Sequence, residues 1–554
     1  MNFPLLRTLA SAVAALLLLD IGLTVQNVWP TFGVYWAEEP SVDLIVLLLL
    51  LALHGAWRGR LGAGWRWGLA ALTVVFLAFR YADVTVPALF GRSIDLYWDL
   101  PHVPHVVAML MNALPVWQVV TSAAGILFLI ATLLLVSRWA IGAIDNACSI
   151  AAVRRGMAAV GVAMLAAYGF GVAEERLDWE NRFAFPVSAV IGQQAVLLAQ
   201  ALVPAMAGPG GPDVLPLPVS NVARLQGGDV FLIFLESYGA LVFDEDHHRN
   251  DLAAPFAELS AAAARGGWHA VSAFVESPTF GGNSWLAHAT TLYGRQIVRN
   301  GDYDLQLKSH RPSLATRFRA AGYRSVALVP GIQQEWPEGA ALDFDALHDA
   351  KALAYAGPAF GWWRIPDQYA LDWLWRHELT PRPRAPVFAF YPTISSHFPF
   401  SPVPPYVAEG DTLDASRAYD GVIPPTDGEQ ADPIRMKANY LDTIAYDWRL
   451  LAGFLSRRAS AGSIVVVLGD HQPPAVVSGP GARVSVPVHI FAADESILTP
   501  FQTAGFVPGL VPNRQAIGLM AALPRTLLDA LDGPPASSLA RVTVPDGPAA
   551  VSPP

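Results

Sequence analysis

The feature that most constrains this chain is a concentration of long apolar segments near its beginning. A helix needs about 20 mainly apolar residues to cross about 30 Å of hydrocarbon. Five segments near that length precede residue 174, and the whole chain is 53% hydrophobic with a mean hydropathy of +0.36. We therefore predict an α-helical membrane domain of about five transmembrane helices within residues 1–173. The predicted spans are residues 5–25, 42–56, 65–79, 119–136 and 151–172.

Arginine placement predicts how these helices are oriented. Cytoplasmic loops of membrane proteins carry an excess of Lys and Arg. The second and fourth interhelical loops are basic, whereas residues 26–43 contain neither Lys nor Arg. We expect the two basic loops in the cytoplasm and, after five crossings, the remainder of the chain on the extracytoplasmic, periplasmic side of the cytoplasmic (inner) membrane. The arginines of the basic loops are Arg58, Arg60, Arg66, Arg138, Arg154 and Arg155.

The composition changes after the last apolar segment. Residues 174–225 are polar, aromatic and then rich in Pro and Gly, which is typical of a juxtamembrane segment and linker. From residue 226 short apolar runs alternate with helical patterns, as in α/β folds with a mainly parallel sheet. We predict one extracytoplasmic α/β domain over residues 226–540 and a flexible tail over residues 541–554.

Two apolar runs of this domain end on residues that can bind a metal. The stretch "DVFLIFLES" ends on Glu236, and "SIVVVLGDHQPP" delivers the chain into Asp470 and His471. Active sites of open α/β folds lie at the carboxyl ends of the strands. The two strand ends therefore predict a shared site if the strands are neighbours.

A hydroxyl group follows a glycine-rich loop between these strands. In "SPTFGGNSWLAHATTLYG" the residues from Ser284 onward have a helical pattern. A serine at a helix N-terminus lies at the positive end of the helix dipole, which favours an alkoxide and a nearby phosphate. Ser284 is thus either a nucleophile or a plain helix cap.

Charge and cysteine content exclude some classes of function. The formal net charge is -10, which argues against a nucleic-acid partner because phosphate binding needs clustered positive charge. Cys148 is the one cysteine, so the chain has neither an intramolecular disulfide nor a multi-cysteine zinc site.

Taken in order, these motifs resemble those of a known enzyme group. Five membrane spans, a strand ending in Glu-Ser, a glycine-rich loop with a hydroxyl, "SSHFPF" and a strand ending in Gly-Asp-His resemble the lipoteichoic acid synthase and phosphoglycerol transferase branch of the alkaline phosphatase and sulfatase superfamily. The resemblance implies that Ser284 is the nucleophile and that one divalent metal is held by Glu236, Ser284, Asp470 and His471.

The same resemblance implies a set of substrate-contacting residues. His397 of "SSHFPF" matches a substrate-contacting and catalytic histidine, and Trp336 of "GIQQEWPEG" matches a tryptophan near the head group. Asn283, beside the nucleophile, is also expected to bind substrate. Mixed oxygen and nitrogen ligands fit Mn²⁺ or Zn²⁺, with Mg²⁺ possible, and the spacing does not choose between them. Of these ions we expect Mn²⁺.

The chain also departs from the patterns of its superfamily. Threonine is the usual nucleophile where this chain has Ser284, and lipoteichoic acid synthases have an arginine where this chain has Glu338. "SWLAH" lacks the Pro and Arg of the sulfatase motif, which disfavours sulfate ester hydrolysis. Lipid A phosphoethanolamine transferases share the layout but usually carry disulfides.

We therefore expect a metal-dependent phosphotransferase anchored in the membrane. Its donor would be a membrane phospholipid that supplies a phosphoglycerol or phosphoethanolamine head group, and its acceptor a glycan or lipid. The alternatives are a sulfatase-like hydrolase or phosphodiesterase that uses water, and a non-catalytic scaffold of the cell envelope.

Two further histidines have more than one interpretation. His288 lies four residues after Ser284, so it could enter the cleft or lie on the helix surface. His489 in "VPVHIFA" is expected to face the layers of the sheet rather than a metal.

Overall fold

The computed structural model shows apolar helices followed by an α/β domain. It describes residues 3–104, 107, 111, 115–173, 182–203, 216–244, 246–309, 311–333, 336–361, 365–407, 419–422, 433–457, 459–460 and 462–533. The predicted tail, 541–554, and the Pro- and Gly-rich part of the predicted linker, 204–215, lie outside these residues.

Each of the five predicted spans is helical, and four of the helices are long and apolar enough to cross a membrane. The remaining helix, Val42–Trp57, has 16 residues and is shorter than a typical span. Many apolar side chains on these helices point outward; Phe128, for example, is 75% exposed. The helices of this part are Phe3–Thr24, Val42–Trp57, Ala63–Phe90, Leu96–Asp99, Val116–Cys148 and Ala151–Ala173.

One helix, Val187–Leu202, lies within the predicted linker. It begins after Pro186. The side chain of Gln194 accepts a hydrogen bond from the backbone N–H of Leu96 and donates one to the carbonyl oxygen of Ile94, at the start of the short helix Leu96–Asp99. Residues 187–202 therefore form a structured connection beside the membrane helices.

A small hairpin joins the first two long helices. Its strands are β1, Val25–Asn27, and β2, Val34–Trp36, which pair antiparallel. From the loop between them the indole nitrogen of Trp29 donates a hydrogen bond to the carbonyl oxygen of Ala475 in the α/β domain, at 3.1 Å. The hairpin thus ties the membrane helices to the α/β domain.

The α/β domain is organised around a sheet with nine strands among the described residues. Its order is β10-β4-β9-β8-β3-β7-β5-β6, and β11 pairs with β4. The contiguous strands β8, β3, β7, β5 and β6 are parallel, whereas β9 runs antiparallel to both of its neighbours. The strands are β3 Val230–Leu235, β4 His269–Glu276, β5 Arg324–Val329, β6 Ala346–Asp349, β7 Val387–Pro392, β8 Ile464–Gly469, β9 Ser485–Ala492, β10 Val507–Pro508 and β11 Ala516–Leu519.

Helices cover both faces of this sheet. All six residues of β3 and all six of β8 are buried, and their side chains alternate between two hydrophobic cores. Burial on both faces explains why these strands are continuous apolar runs. The α-helices of this domain are Leu241–Asp244, Asp246–Asp251, Ala253–Arg265, Ser284–Tyr293, Asn300–Lys308, Leu314–Ala320, Pro337–Ala341, Ala350–Leu353, Asp367–Leu374, Pro433–Arg457, Ala475–Ser478, Thr499–Thr503 and Leu523–Leu531.

The predicted fold class is therefore confirmed: apolar membrane-type helices precede an α/β domain with a mainly parallel sheet. The expected number of spans is refined, because only four of the five predicted segments form helices of full spanning length.

Candidate active site

The two strand ends predicted to share a site are adjacent in the sheet. Strands β3 and β8 are parallel neighbours with Leu235 opposite Gly469, so Glu236 and Asp470 follow at the same level. A side chain on Gly469 would overlap the carbonyl oxygen of Tyr238, which explains why glycine precedes the aspartate. The exposed fractions of Glu236 and Asp470 are only 5% and 0%. Two acidic residues are thus buried side by side at the carboxyl edge of the sheet.

Ser284 reaches this edge from the start of the helix Ser284–Tyr293. Its hydroxyl group donates a hydrogen bond to Glu236 Oε2 at 3.1 Å and lies 3.2 Å from His471 Nε2. The preceding Asn283 has φ of 60°, in the left-handed region that asparagine tolerates better than most residues. This turn directs the first residue of the helix toward the strand ends, so Ser284 joins the acidic pair.

Asp470 has one oxygen that is satisfied and one that is not. Its Oδ1 accepts hydrogen bonds from the backbone N–H groups of Ser237 at 2.8 Å and His471 at 2.7 Å. Its Oδ2 is buried without a hydrogen-bond partner among the described residues. A buried carboxylate oxygen without a partner is costly, which indicates that another group belongs there.

The ring of His471 is held so that one nitrogen faces the acids. Its Nδ1 donates to the carbonyl oxygen of Gln472 at 2.7 Å, since a carbonyl can only accept. Nε2 is therefore the nitrogen that could bind a metal once it is deprotonated, because a hydrogen bond from the other ring nitrogen usually orients metal-binding histidines in this way. Nε2 lies 3.4 Å from Glu236 Oε1 and 3.7 Å from Asp470 Oδ2.

These three side chains form a buried group that could hold a metal ion. One ligand atom from each of Glu236, Asp470 and His471 lies within 4.8 Å of the others. Two carboxylates and an imidazole are a suitable donor set for a divalent cation, and the unpartnered Oδ2 of Asp470 fits that role. Ser284 Oγ adjoins the same group and could supply a fourth ligand.

Electrostatics in the group are strained without a positive ion. Burial and the charge of Glu236 raise the pKa of Asp470 to about 8. Burial also opposes ionisation of Glu236, but His397 and His471 outweigh it and hold the pKa of Glu236 well below its usual range. Burial lowers the pKa of His471, yet Asp470 and Glu236 outweigh it and raise that pKa to about 9. A divalent cation would relieve the repulsion between the two acids.

His397 lies close enough for its charge to act on Glu236. Its Nδ1 bonds the carbonyl oxygen of Phe398 at 2.7 Å, and the residue lines a small cavity beside Ile394 and Pro399. The predicted substrate-contacting histidine thus lies near Glu236 of the candidate metal group. Its catalytic role stays a prediction.

Trp336 occupies a different setting. It is partly buried against one of the hydrophobic cores and directly precedes the short helix Pro337–Ala341, where its ring approaches Gly339. The contacts described for it are with this packing and not with Ser284, Glu236 or Asp470. Its role in binding a head group stays a prediction.

Asn283 lines a much larger cavity of about 420 Å³ that borders the site. The cavity lies between the α/β domain and the segment around the helix Leu96–Asp99. Its walls include charged and aromatic side chains from both parts: Arg92, Tyr97, Trp98, Arg299 and Lys308.

Sequence reasoning missed one residue that shapes the site. Thr393 follows β7, and its Oγ1 accepts a hydrogen bond from the backbone N–H of Glu236 at 3.1 Å. Like Glu236 and Asp470, Thr393 directly follows the carboxyl end of a parallel strand, so the same sequence pattern could have predicted it. His288 is partly exposed; its ring packs edge-on against Phe234, with centroids 4.6 Å apart, and burial lowers its pKa to about 4, while the charges of Glu236 and His471 also act on it.

The loop before Ser284 contacts the membrane helices directly. Gly281 has φ of 63°, and a side chain there would overlap the carbonyl oxygen of Phe90 at the end of the helix Ala63–Phe90. The ring of Phe90 also packs edge-on against Phe398, with centroids 5.9 Å apart. The site therefore adjoins the end of a membrane-type helix.

Comparison with known proteins gives structural likenesses only. No family model and no curated protein matches the chain. Among solved structures, the lipoteichoic acid synthase LtaP from Listeria monocytogenes is 14% identical with a TM-score of 0.32, over 51% of this chain and 67% of that one. The phosphoglycerol transferase GacH from Streptococcus pyogenes, in complex with sn-glycerol-1-phosphate, is 11% identical with a TM-score of 0.34, over 49% and 69%.

A third similar structure is the C-terminal periplasmic domain of EptC from Escherichia coli in complex with Zn. It is 14% identical with a TM-score of 0.35, over 55% of this chain and 80% of that domain. These similar solved structures belong to the alkaline phosphatase and sulfatase superfamily, which the sequence motifs resemble. Because the identities and TM-scores are low, the function of this chain depends on the geometry of its own site.

Proposed function

We propose that the protein is a membrane-anchored, metal-dependent phosphotransferase that moves a phospho-head group from a phospholipid to a glycan or lipid acceptor. One observation carries the proposal: the Ser284 hydroxyl group lies 3.1 Å from Glu236 Oε2 and 3.2 Å from His471 Nε2, beside an unpartnered oxygen of Asp470. A nucleophilic hydroxyl next to a metal-binding group is the arrangement that phosphoryl transfer requires.

Glu236, Asp470, His471 and Ser284 Oγ would hold one divalent ion. We propose Mn²⁺, with Zn²⁺ or Mg²⁺ as alternatives; mixed oxygen and nitrogen donors fit both Mn²⁺ and Zn²⁺. When bound, the ion would lower the pKa of the Ser284 hydroxyl group and neutralise charge on the phosphoryl oxygens.

The chain's own groups account for the two chemical steps. In the first, Ser284 gives its proton to water, the Oγ–P bond forms and the P–O bond to diacylglycerol breaks, while His397 protonates the leaving oxygen. In the second, an acceptor hydroxyl gives its proton to His397 and forms a new O–P bond. The P–Oγ bond then breaks, and Ser284 regains its proton.

The position of the site supports a lipid donor. Gly281 and Phe398 contact Phe90, and the cavity beside Asn283 has walls from both the α/β domain and the membrane-proximal segment. Lys308 in those walls could contact a phosphate-bearing head group, which Asn283 and Trp336 would help to bind. Arg92 and Arg299 in the same walls pair with Asp99 and Asp302, at 2.9 and 3.0 Å. A lipid could therefore present its phosphate to Ser284 without leaving the membrane.

The arrangement of the helix ends supports the predicted orientation. Trp29 and Phe90 lie at the helix ends that meet the α/β domain, whereas Arg58, Arg60 and Arg66 lie at the opposite ends. By the positive-inside rule the arginines are cytoplasmic and the catalytic domain is extracytoplasmic.

Mass spectrometry of Ser284 tests the reaction. The full chain is incubated with mixed membrane phospholipids and Mn²⁺, quenched and digested. We expect a mass increment on the Ser284 peptide that corresponds to phosphoglycerol or phosphoethanolamine. Ser284→Ala should lack the increment, and Ser284→Thr should retain it because threonine keeps the hydroxyl group. Ser260→Ala, a helix serine bonded to its own backbone, is the matched control.

The same assay separates the alternatives. Acceptor-dependent loss of the increment indicates a transferase, and equal loss in water alone indicates a hydrolase or phosphodiesterase. Lipid turnover that continues unchanged in Ser284→Ala would contradict the nucleophile assignment. No increment and no turnover with any divalent metal would favour a scaffold.

A further inference from the structure

A second polar pocket lies between the membrane helices, far from the candidate active site. Its volume is about 380 Å³, and it is formed by the helices Phe3–Thr24, Ala63–Phe90 and Val116–Cys148. The polar side chains that line it are Arg7, Thr8, Ser11, Arg66, Arg138 and Asn146.

The pocket is at the ends of the helices that point away from the α/β domain. Arg66 is 24 residues before Phe90, whose carbonyl oxygen touches the loop of Ser284. At 1.5 Å per residue, that separation is about 36 Å along the helix. The pocket therefore faces the opposite side of the membrane from the catalytic site, and it is independent of the proposed transfer reaction.

Positive charge in the pocket exceeds what the protein neutralises. Asp145 is buried at 1% exposure behind the pocket and pairs with Arg66 at 2.8 Å. Within the described part of the chain, neither Arg7 nor Arg138 forms an ion pair. The Nε atoms of Arg66 and Arg138 are buried, and no described group accepts a hydrogen bond from them. Two uncompensated guanidinium groups and free donors of this kind suit a phosphate-bearing anion.

The surroundings favour a lipid over a free anion. Trp139 lines the pocket and is 46% exposed, and the adjoining Leu135 is 59% exposed. The guanidinium group of Arg138 also lies 4.7 Å above the ring of Trp67, which is 44% exposed. Exposed tryptophans mark the membrane–water interface. A head group in the pocket could thus extend its acyl chains along an apolar helix surface.

We propose that this pocket binds the phosphate of an anionic phospholipid from the leaflet opposite the α/β domain. Basic pockets between transmembrane helices are suited to such head groups. Arg7 and Arg138 would contact the phosphate directly, whereas Arg66 is held in place by Asp145.

Binding of a fluorescent phosphatidylserine, an anionic lipid whose head group is not one of the proposed donor groups, to the full chain in zwitterionic detergent tests the proposal. All proteins carry Ser284→Ala, so that turnover does not consume the probe. We expect Arg7→Gln combined with Arg138→Gln to raise the Kd at least about tenfold. The matched control is Arg58→Gln combined with Arg60→Gln, which removes the same charge from exposed positions on the same side. This control should change the Kd less than about twofold.

A second variant tests the pocket without changing charge. A Cβ on Gly142 would lie 3.6 Å from Arg66 Nη1, in ordinary contact, so Gly142→Leu should fill the pocket and weaken binding while the chain stays folded. Thermal unfolding of each variant verifies folding. Phosphatidylcholine should not compete with the probe, and inorganic phosphate should compete only weakly.

Three outcomes would overturn the proposal. Equal loss of binding in both arginine pairs would show a general effect of charge. Unchanged binding in Gly142→Leu and in the Arg7 and Arg138 variant would show that the lipid binds elsewhere. Displacement by inorganic phosphate as effective as that by unlabelled phosphatidylserine would identify the pocket as a site for free anions.

Discussion

Two buried histidines in the same sheet have opposite environments. His471 follows β8 and His489 lies on the neighbouring strand β9, paired with Val467. Both are nearly inaccessible to solvent, at 1% and 4% exposure. The pKa of His471 is raised to about 9, because adjacent carboxylates outweigh burial, whereas burial alone lowers the pKa of His489 to about 3.

The difference lies in whether the hydrogen bonds around each ring are complete. Ser272 Oγ donates to the carbonyl oxygen of Gly509 and so accepts from His489 Nδ1, at 2.7 Å. Tyr238 Oη then donates to Nε2 of the same ring at 2.9 Å. This region is neutral and closed. The region around His471 has two acids and an unpartnered oxygen on Asp470. A closed buried network is structural, and an incomplete one indicates a missing ligand.

The largest expected effect is on catalytic activity, which substitutions around His471 should reduce and a substitution of His489 should not. Glu236→Gln and Ser284→Ala should each lower kcat/KM at least about 10⁴-fold, because each removes a member of the reacting group. His489→Gln should leave kcat of the folded enzyme within about twofold. Lipid turnover, normalised to folded protein, provides the measurement. A loss with His489→Gln as large as that with Glu236→Gln would break the comparison.

Metal addition should stabilise only a protein with an intact acidic pair. At 100 times the Kd, a bound ion stabilises the folded state by about 2.7 kcal/mol. Asp470→Asn should abolish this gain. It should also raise the Tm of the metal-free protein, because it removes the cost of burying a titratable acid beside Glu236. Thermal unfolding with and without Mn²⁺ tests both effects; an equal metal-dependent rise in Tm in the variant would contradict the site.

Acid should destabilise the protein partly through His489. Its folded pKa of about 3 is below the usual unfolded value near 6.5, so the stability it contributes is present above pH 6.5 and is lost as the pH falls toward 3. Between pH 7 and pH 5 this loss is about 2 kcal/mol. His489→Gln should reduce the pH dependence of unfolding by that amount. An identical pH dependence in both proteins would mean that the ring is not buried as a neutral group.

The smallest expected effect concerns the contact between the membrane hairpin and the α/β domain. Trp29→Phe removes one hydrogen bond to the carbonyl oxygen of Ala475, worth about 1 kcal/mol. Hydrogen exchange of the helix Ala475–Ser478 should accelerate about fivefold. Trp57→Phe, at an 83% exposed position, is the control. No acceleration in Trp29→Phe would show that docking does not depend on this bond.

Sequence alone predicted the elements whose signal is local. The apolar runs before Glu236 and Asp470 are strands because both faces are buried, and their order along the chain is compatible with a parallel sheet. In the membrane part, the sequence pattern predicted where each apolar segment ends, but it did not predict where each helix ends. The predicted span 65–79 is part of the helix Ala63–Phe90, since backbone hydrogen bonding continues beyond the membrane-length apolar segment.

Sequence could not predict features that depend on side-chain direction or distant contacts. The spacing of four between Ser284 and His288 left a cleft or a surface position open, and it could not show that the ring packs against Phe234 and Phe390. The motif around Trp336 does not show that its ring packs against the core. The helix Val187–Leu202 was missed because flanking polar and Pro-rich residues dominated the composition of that segment.

Anomalous diffraction from crystals of the Mn²⁺-loaded protein tests the central claim most directly. The account predicts one strong peak within about 2.0–2.3 Å of ligand atoms from Glu236, Ser284, Asp470 and His471. A peak elsewhere, with these four side chains bonded only to one another, would contradict it.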